Sequence, residues 1–356
     1  MKIFIAHENP WNAGNPYIYT LMEEMQRKHS DVDFGCGWRE FWTDELFSYD
    51  IVHFQWPQAY MAQAPAEKAY DMLAKRIAEL HQHGIRIFAT CHDLQPHYSQ
   101  CADYGRCMTL VYEQADVILH LGQHSQTLFM ERYPQAQHLL LPHHVYDTVY
   151  TIRPTKEESV AKLGLPADKT YILCFGSFRS EDERQLVLKV AKQLNDKNVI
   201  FLAPSFMRVE RRHGRIRKYI SSRSQILRWW YRVRYRILMS GEDWVPIDDA
   251  TLPYYYGLAD VAFIQRPRIL NSGNAVLPML FDVAVVGPKI GNVEELLAEY
   301  GYPSFDANDM DSVIAALKTG IMLQKEGYPA QQHAKVMSTI STSVIAEKLY
   351  QYYHKQ

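Results

Sequence analysis

Short apolar segments alternate with amphipathic helical segments along most of the chain. In the first half, candidate strands fall at 2–7, 51–56, 86–92, 116–122 and 138–142. After the first of them, apolar residues keep the i, i+3, i+4, i+7 spacing of one helix face, at Ile18, Leu21, Met22 and Met25. This alternation predicts parallel sheets covered by helices in an α/β protein.

The pattern pauses at 147–170, a polar stretch that we interpret as a linker. A second α/β set follows, with candidate strands at 171–176, 198–203, 260–265 and 283–287. We therefore predict two Rossmann-like, doubly wound domains with a ligand in the cleft where their strand ends meet. The predicted segments are an N-terminal domain, a C-terminal domain and a last helix packing back on the N-terminal domain: 1–152, 153–335 and 336–356.

Composition narrows the class of protein. With 356 residues, 47% hydrophobic and 22% charged, the chain suits a folded two-domain protein. A net charge of −2 gives no overall attraction to nucleic acid. The five cysteines lack Cys-x-x-Cys spacing, which favours a reduced cytoplasm. The apolar start turns polar at His7, too early for a signal peptide, and no apolar run approaches a membrane span of roughly 20 residues. We expect a cytoplasmic protein that touches membranes only at its surface.

Residues 270–274, Leu-Asn-Ser-Gly-Asn, stand between an apolar strand and a predicted helix. Ser272 is a suitable N-cap, and Gly273 lets a ligand approach the backbone closely. The first N–H groups of a helix lack intrahelical partners and lie at its positive end, where phosphate binds. A second helix start follows the next strand, with Asn292 and Glu295 at capping-box spacing. Two helix starts after neighbouring strands predict a nucleotide-diphosphate pocket.

Six segments match the motifs of a known family in its order. They are 11–17 (Trp-Asn-Ala-Gly-Asn-Pro-Tyr), 49–56 (Tyr-Asp-Ile-Val-His-Phe-Gln-Trp), 89–93 (Ala-Thr-Cys-His-Asp), 114–118 (Gln-Ala-Asp-Val-Ile), 141–146 (Leu-Pro-His-His-Val-Tyr) and 175–179 (Phe-Gly-Ser-Phe-Arg). On these motifs the chain resembles a GT-B glycosyltransferase, closest to family 4, over nearly its whole length. The resemblance implies an acceptor-side domain followed by a nucleotide-sugar-binding domain.

The resemblance also implies an activity. It is sugar transfer from a nucleotide-diphosphate sugar to a glycan or lipid-linked saccharide in surface polysaccharide assembly, with retained configuration and no metal or other cofactor. Arginines and helix N-termini can neutralise the leaving diphosphate. The expected donor-binding residues are Arg179, Arg184, Arg266, Ser272, Gly273 and Asn274. Asn292 and Glu295 are candidates for the nucleotide ribose, although capping alone explains Glu295.

Two positions of the donor site depart from the family pattern. The window 271–278 lacks the family's two glutamates separated by seven residues, and 180–183 (Ser-Glu-Asp-Glu) replaces the lysine after the donor loop. A Ser-Gly form of the first loop occurs among polysaccharide-assembly members of the superfamily. The missing acids and lysine motivate a second hypothesis, a non-catalytic GT-B subunit or scaffold.

Candidate catalytic residues end a strand of the first domain. By resemblance, His92 contacts the donor sugar or the acceptor hydroxyl, and an imidazole of near-neutral pKa can move a proton. Asp93 is the alternative base if the reaction inverts configuration. The structural alternative is a histidine held by neighbouring backbone. Candidates for the acceptor side, with core packing as the alternative for the last three, are Asn12, Gly14, Asn15, His53, Trp56 and His144.

Other classes of site are disfavoured. His92, His97, Cys101 and Cys107 match no zinc spacing, so we expect no metal. A dehydrogenase requires Gly-x-Gly-x-x-Gly after the first strand, where 7–11 reads His-Glu-Asn-Pro-Trp. A nucleotide-sugar epimerase stays open as a third hypothesis.

The most basic segment, 208–236, holds eleven Lys and Arg among its 29 residues, against one acid, Glu210. Apolar residues fall on one helical face there, at Ile226, Trp230, Val233 and Ile237. A basic helix bounded by tryptophans can lie on an anionic bilayer, each cation contributing about 1 kcal/mol. The alternative is an apolar face packed on the second sheet with a solvated arginine rim, and we expect the helix to do both. The expected membrane-surface residues are Arg228, Trp229, Trp230, Arg232 and Arg236.

Overall fold

The computed structural model describes residues 1–12, 14–57, 66–94, 102–207, 220–239 and 247–355. The chain divides into two compact units. Unit 1 comprises Met1–Val149 and Ser338–Gln356, and unit 2 comprises Tyr150–Met337. The described part of each unit contains one six-stranded sheet.

Unit 1 alternates strands and helices. Its strands β1 to β6 are Lys2–Ala6, Asp33–Cys36, Ile51–Phe54, Arg86–Cys91, Val117–His120 and Gln137–Leu140. Its helices α1 to α4 are Tyr17–Lys28, Ala66–Gln82, Ala102–Gln114 and Gln123–Arg132. Short 3-10 helices occupy Pro10–Asn12, Glu40–Trp42 and Asp44–Ser48.

The unit 1 sheet has the order β2-β1-β3-β4-β5-β6, and all of its pairings are parallel. Strands β3 and β5 are buried along their whole length, because helices cover both faces of such a sheet. β2 does not correspond to any predicted strand. It is a half-buried edge strand containing a glycine, so its sequence carries no continuous apolar run.

Unit 2 follows the same plan. Its strands β7 to β12 are Thr170–Leu173, Val199–Leu202, Ile237–Leu238, Val261–Phe263, Ala284–Pro288 and Ser304–Phe305. Its helices α5 to α12 are Lys156–Leu163, Glu181–Leu194, Ile220–Tyr235, Leu252–Leu258, Gly273–Leu280, Gly291–Glu299, Met310–Lys325 and Tyr328–Ile340, the last of which continues into unit 1. The sheet order is β12-β11-β10-β7-β8-β9, all parallel.

The predicted linker at 147–170 is partly wrong, because it contains α5. Thr155 caps this helix by accepting the Glu158 N–H, and the Glu158 carboxylate accepts the Thr155 N–H. Gly164 ends the helix in the left-handed region, at φ 63°. α5 is only eight residues long and mostly polar, so it lacks the apolar periodicity that marks longer helices.

Helix α13, Thr342–His354, belongs to unit 1. Its start is held by Asp147, whose Oδ1 accepts the Thr342 N–H and hydroxyl at 2.7 Å each. Near its end, Tyr353 is buried against the central strands of unit 1. The last helix of the chain therefore completes the core around β3 and β4.

Candidate functional site

The carboxyl ends of three neighbouring strands, β11, β10 and β7, lie at one edge of the unit 2 sheet, because the strands are parallel. The loop after β7 contains Gly176 and Arg179. The loop after β10 contains Arg266 and leads to Ser272 at the start of α9. Parallel topology therefore gathers most of the predicted donor-binding residues at one edge.

Gly176 is the point on which the side chains of this edge converge. Asn274 Nδ2 donates to the Phe175 carbonyl at 2.9 Å, and Arg266 Nη2 donates to the Ser177 carbonyl at 3.0 Å. Gly176 has φ +91°, and a Cβ on it would lie 2.5 Å from Asn274 Nδ2 and 3.4 Å from Arg266 Nη2. Only glycine accommodates both this backbone and these neighbours.

Helix α9 starts as predicted, with Ser272 in the N-cap position. The Ser272 hydroxyl makes no capping bond, which corrects its expected role as a side-chain cap. Its Oγ is buried without a hydrogen-bond partner in the described part of the chain. A buried hydroxyl without a partner costs free energy unless a ligand or water satisfies it. A ligand or water at the first N–H groups of α9 would satisfy this hydroxyl.

The capping box predicted at the next helix start is wrong. The N-cap of α10 is Ile290, and Asn292 lies inside the first turn. Asn292 is buried, and its Nδ2 donates to Asn271 Oδ1 at 2.7 Å while its backbone N–H donates to the Leu270 carbonyl. These bonds tie α10 to the loop that leads to Ser272. Glu295 lies half-buried on α10, and its contact with a ribose stays a prediction.

A buried carboxylate organises the loop after β7. Glu183 Oε2 accepts the Arg179 backbone N–H at 2.8 Å, and Glu183 Oε1 lies 3.9 Å from Arg266 Nε. Glu183 and Arg266 are about equally buried, so their charges interact with little screening by water. Arg184 instead donates to the Phe206 and Ser180 carbonyls, which anchors α6 to the loop after β8.

Gln265 is a buried residue of this edge that the sequence analysis did not select. It is 2% exposed, and its Nε2 has no hydrogen-bond partner within the described residues. The available signal was a polar residue closing the apolar run of β10, immediately before Arg266. Gln265 is thus a second buried donor in the loop after β10, immediately before Arg266 in the chain.

In unit 1, a hydrogen-bonded chain runs from His92 to the last helix. His92 Nε2 lies 2.8 Å from Gln55 Oε1, and Gln55 Nε2 lies 3.3 Å from His53 Nε2. His53 Nε2 also lies 2.8 Å from the Thr90 hydroxyl, and its Nδ1 lies 2.6 Å from the Tyr353 hydroxyl. The chain links the ends of β3 and β4 to α13.

The orientation of the Gln55 amide determines which ring nitrogens of His92 and His53 carry protons. Its Oε1 accepts, so His92 carries its proton on Nε2, and its Nε2 donates, so His53 Nε2 is an acceptor. His53 then donates from Nδ1 to Tyr353. Burial lowers the pKa of His53 to about 3, which agrees with a neutral ring holding one proton.

Aromatic rings enclose His92. Trp56 stacks on it with centroids 4.3 Å apart, and Tyr17 meets its edge at 5.1 Å. Tyr17 is also buried, and its hydroxyl has no hydrogen-bond partner in the described part of the chain. In the sequence, Tyr17 stood out only as the last residue of the 11–17 motif, with no site role predicted for it. The structure makes it the ring that joins His92 to the loop after β6.

The loop after β6 also packs against Tyr17. His143 and His144 lie 4.7 and 5.1 Å from the Tyr17 ring, and Tyr146 donates to Asn15 Oδ1 at 3.2 Å. Burial lowers the pKa of His143 to about 4 and of His144 to about 3. Both histidines are therefore neutral at physiological pH.

No family model and no curated protein sequence matches the chain. Sucrose-phosphate synthase from Thermosynechococcus elongatus is similar, with a TM-score of 0.68 and 16% identity over 99% of this chain and 98% of that chain. Anabaena HepE in complex with UDP-glucose has a TM-score of 0.68 and 15% identity over 99% of each chain. A candidate UDP-N-acetylglucosamine 2-epimerase from Listeria monocytogenes has a TM-score of 0.61 and 10% identity over 100% and 97%.

The chain has the GT-B fold. The predicted fold class, two Rossmann-like units each built on a parallel sheet, is confirmed. At these identities the likeness carries the fold alone, so the assignment to family 4 stays a prediction.

Two predicted acceptor-side residues of this GT-B chain lie in the core of unit 1. His53 and His144 are both 0% exposed, and their ring nitrogens bond to neighbouring protein groups such as Tyr353 and Tyr17. Direct contact with an acceptor is thereby corrected to core packing. At the loop after β1, Asn12 and Gly14 are exposed, and among the described residues no atom lies within 4 Å of a Cβ built on Gly14. Their contact with an acceptor stays a prediction.

The predicted membrane-surface residues of this GT-B chain lie on or next to α7. Ile226, Trp230 and Val233 are exposed rather than packed on the sheet, which overturns the packed alternative for this face. Ile237 belongs to β9 and not to the helix. Residues 208–219 of the basic segment lie outside the described residues.

None of the described helices combines the length and apolar character needed to cross a bilayer. No cluster of three His, Cys, Asp or Glu side chains suited to a metal ion occurs in the described ranges. His97 and Cys101, considered as metal ligands, lie outside those ranges. The expectation that no metal is needed stays a prediction.

Proposed function

We propose that this protein is a family 4-like glycosyltransferase that moves a sugar from a nucleotide-diphosphate sugar to a glycan or lipid-linked saccharide. Unit 2 binds the donor and unit 1 binds the acceptor. The reaction retains configuration, requires no metal and serves surface polysaccharide assembly in the cytoplasm. Hexosyl transfer is the expected subclass.

One observation carries the proposal: the convergence of Arg266 and Asn274 on Gly176, beside the start of α9. Helix N–H groups and an arginine together recognise a diphosphate. The buried hydroxyl of Ser272 and the amide of Gln265 have no hydrogen-bond partners within the described chain, and phosphate oxygens would satisfy both donors. UDP-glucose in complex with Anabaena HepE, a protein of the same fold, supports this class of ligand.

In unit 1, the proposal assigns His92 to a sugar hydroxyl. With the proton on Nε2 directed to Gln55, the other nitrogen of the ring, Nδ1, is the basic one. Trp56 stacked on the ring supplies an apolar face of the kind that sugar rings pack against. Asp93, also buried, is the alternative base if the reaction inverts configuration.

The test is a thermal-shift screen against UDP, GDP, dTDP and CMP, followed by hydrolysis and transfer assays with the matching sugar nucleotides. We expect one nucleotide to raise the melting temperature and its sugar conjugate to be consumed. The Arg266→Gln variant is expected to lose the shift, whereas Arg268→Gln, at an exposed ion pair with Asp182, keeps it. No binding and no turnover with any nucleotide sugar contradicts the proposal.

Two alternatives give different results in the same assays. A non-catalytic subunit, favoured by the absence of acids from 271–278, binds nucleotide without turnover and is unchanged by His92→Ala. An epimerase, represented among the similar structures, converts the donor sugar without any acceptor. Product analysis by NMR distinguishes the three.

A further inference from the structure

Helix α7 carries a cluster of large apolar side chains that face solvent. Ile226 is 68% exposed, Trp229 64%, Trp230 43% and Val233 60%. Their spacing is i, i+3, i+4, i+7, so they form one stripe along the helix. We call these four residues the α7 stripe. Exposed apolar residues are ordinary when scattered, but a continuous patch with two tryptophans indicates an interaction surface.

The other side of α7 fixes the orientation of the stripe. Tyr231 and Tyr235 are half-buried and pack against the core of unit 2, and the Tyr231 ring meets Phe206 at 5.1 Å. The helix runs into β9, where the Arg236 carbonyl accepts the Phe201 N–H. Because one face is anchored in this way, the stripe on the opposite face projects outward.

Arginines border the stripe. Arg232 and Arg234 are exposed, Arg228 is half-exposed, and no acidic residue occurs between Ile220 and Tyr235. At 3.6 residues per turn, Arg234 lies on one side of the stripe and Arg232 on the other, whereas Arg228 lies on the side of Tyr231 and Tyr235. The helix therefore combines an apolar face, tryptophans and positively charged flanks.

We propose that the α7 stripe and its arginines are a docking surface for an anionic lipid bilayer. Tryptophan side chains favour the boundary between acyl chains and headgroups, and arginines bordering an apolar face pair with anionic headgroups. The helix lies in the plane of the bilayer surface, with Trp229 and Val233 in the interfacial layer. This inference goes beyond the proposed function and does not depend on it.

A second copy of the chain is the competing occupant of the stripe. In a symmetric dimer the same patch faces itself, so Arg232 and Arg234 of each copy lie close to the equally basic helix of the other. The described part of α7 provides no acid to offset that repulsion. Charge complementarity therefore favours anionic lipid over self-association.

The experiment is vesicle co-sedimentation of the full chain without nucleotide. One set of vesicles is pure phosphatidylcholine, and the other contains phosphatidylglycerol as well. We expect binding to the anionic vesicles, a blue shift of tryptophan emission and release at high salt. Equal binding to both vesicle types, or none to the anionic ones, overturns the proposal.

Two variants test the surface directly. Val233→Glu places a carboxylate in the stripe, and Arg232→Glu reverses one flanking charge. We expect Arg232→Glu to weaken binding by at least about fivefold, which corresponds to the loss of one cation at an anionic surface. Val233→Glu is expected to abolish the emission shift. Both side chains are exposed, so circular dichroism and melting temperature should match the unaltered protein.

Matched controls lie on the surface of the same unit. Met322→Glu alters an apolar side chain with 49% exposure on α11, and Lys318→Glu reverses an exposed charge on the same helix. Both controls should bind vesicles normally. Control variants that lose binding equally show a general charge effect and overturn the proposal, as does a dimer in solution that Val233→Glu dissociates.

The results separate this surface from the proposed function. If vesicles bind and every nucleotide assay is silent, the docking surface stands and the glycosyltransferase proposal fails. If the protein turns over nucleotide sugars and does not bind anionic vesicles, the glycosyltransferase proposal stands and the docking surface fails. If both proposals are supported, Val233→Glu should slow sugar transfer to a vesicle-embedded acceptor and leave sugar transfer to a water-soluble acceptor unchanged.

Discussion

Gln55 Oε1 lies 2.8 Å from Nε2 of His92, and both residues follow neighbouring parallel strands. The same amide reaches His53 with its nitrogen, so one side chain sets the tautomer of two histidines. The proposed contact of His92 with a sugar hydroxyl therefore depends on a residue that need not touch the sugar. Gln55 is a positioning residue in this arrangement.

Replacing Gln55 by glutamate should change the pH dependence of sugar transfer. A carboxylate beside His92 favours the protonated imidazole and raises its pKa, by about 1–2 units for a close charge. If neutral His92 is the working form, the acid limb of the kcat profile moves to higher pH by that amount. The measurement is kcat against pH for both proteins.

The control for this prediction is Gln82→Glu, the same change at an exposed position of unit 1. It should leave the pH profile unchanged. A Gln55→Glu enzyme with a lower rate and an unmoved acid limb contradicts the positioning role and indicates a packing defect instead.

Gly176→Ala should weaken donor binding and stability together. The new Cβ would lie 2.5 Å from Asn274 Nδ2, and alanine is strained at φ +91°. Left-handed strain of about 1 kcal/mol adds to the displacement of the Asn274 amide from the Phe175 carbonyl. We expect a lower midpoint of denaturant unfolding and at least tenfold weaker nucleotide binding.

Gly105→Ala is the matched control for that substitution. Gly105 lies within α3, and no atom of the described residues stands within 4 Å of a Cβ built there. Alanine is favoured over glycine inside a helix by about 0.5–1 kcal/mol, so this variant should unfold later and bind nucleotide normally. A Gly176→Ala protein that binds as tightly as the control shows that the loop after β7 tolerates a side chain.

Arg266→Gln should reduce donor affinity. A charge-assisted hydrogen bond contributes about 1.5–3 kcal/mol, so its loss predicts roughly ten- to hundredfold weaker binding, measured by calorimetry. The variant also leaves Glu183 without its buried cation, so some loss of stability is expected. Arg268→Gln removes only an exposed ion pair and should change neither quantity. Equal affinities for the two variants would exclude Arg266 from the donor site.

Acid should destabilise unit 1 through three buried histidines. His53, His120 and His144 are 0% exposed, and burial lowers the pKa of each to about 3. In the unfolded chain their pKa returns to about 6.5, so unfolding takes up protons between these values. The stabilisation is complete above pH 6.5 and declines by up to about 1.4 kcal/mol per pH unit for each histidine as pH falls.

The measurement is the free energy of unfolding between pH 7 and pH 5 for His144→Asn and for His124→Gln. Asparagine at 144 offers Oδ1 to the Tyr146 N–H that His144 Nδ1 accepts, and it does not titrate. Its stability should fall less steeply with acid than that of the unaltered protein. His124 is exposed, so its replacement should leave the slope unchanged. Identical slopes for all three proteins refute the assignment.

The local pattern of apolar and polar residues was sufficient to predict most individual strands and helices. Apolar runs located most of the strands that form the two sheets, and the alternation with amphipathic helices determined the α/β class. The start of α9 at Ser272 was also predictable from the sequence, because a polar N-cap residue and a glycine stand before an apolar run. Short edge strands such as β9 and β12 lacked that signal, since two residues in each form the ladder.

Tertiary structure decided what the side chains do. Nothing local distinguishes His53 in the core from His92 beside Trp56, because both lie close to the carboxyl end of an apolar strand and differ in what packs on them. The tie between Asn292 and Asn271, and the chain from Gln55 to Tyr353, join residues 21 to 300 positions apart. On α7, the sequence determined an amphipathic basic helix, but the packing of Tyr231 and Tyr235 decided which face meets solvent. Spacing along a chain determines which residues share a face, and only packing against the rest of the molecule determines where that face points.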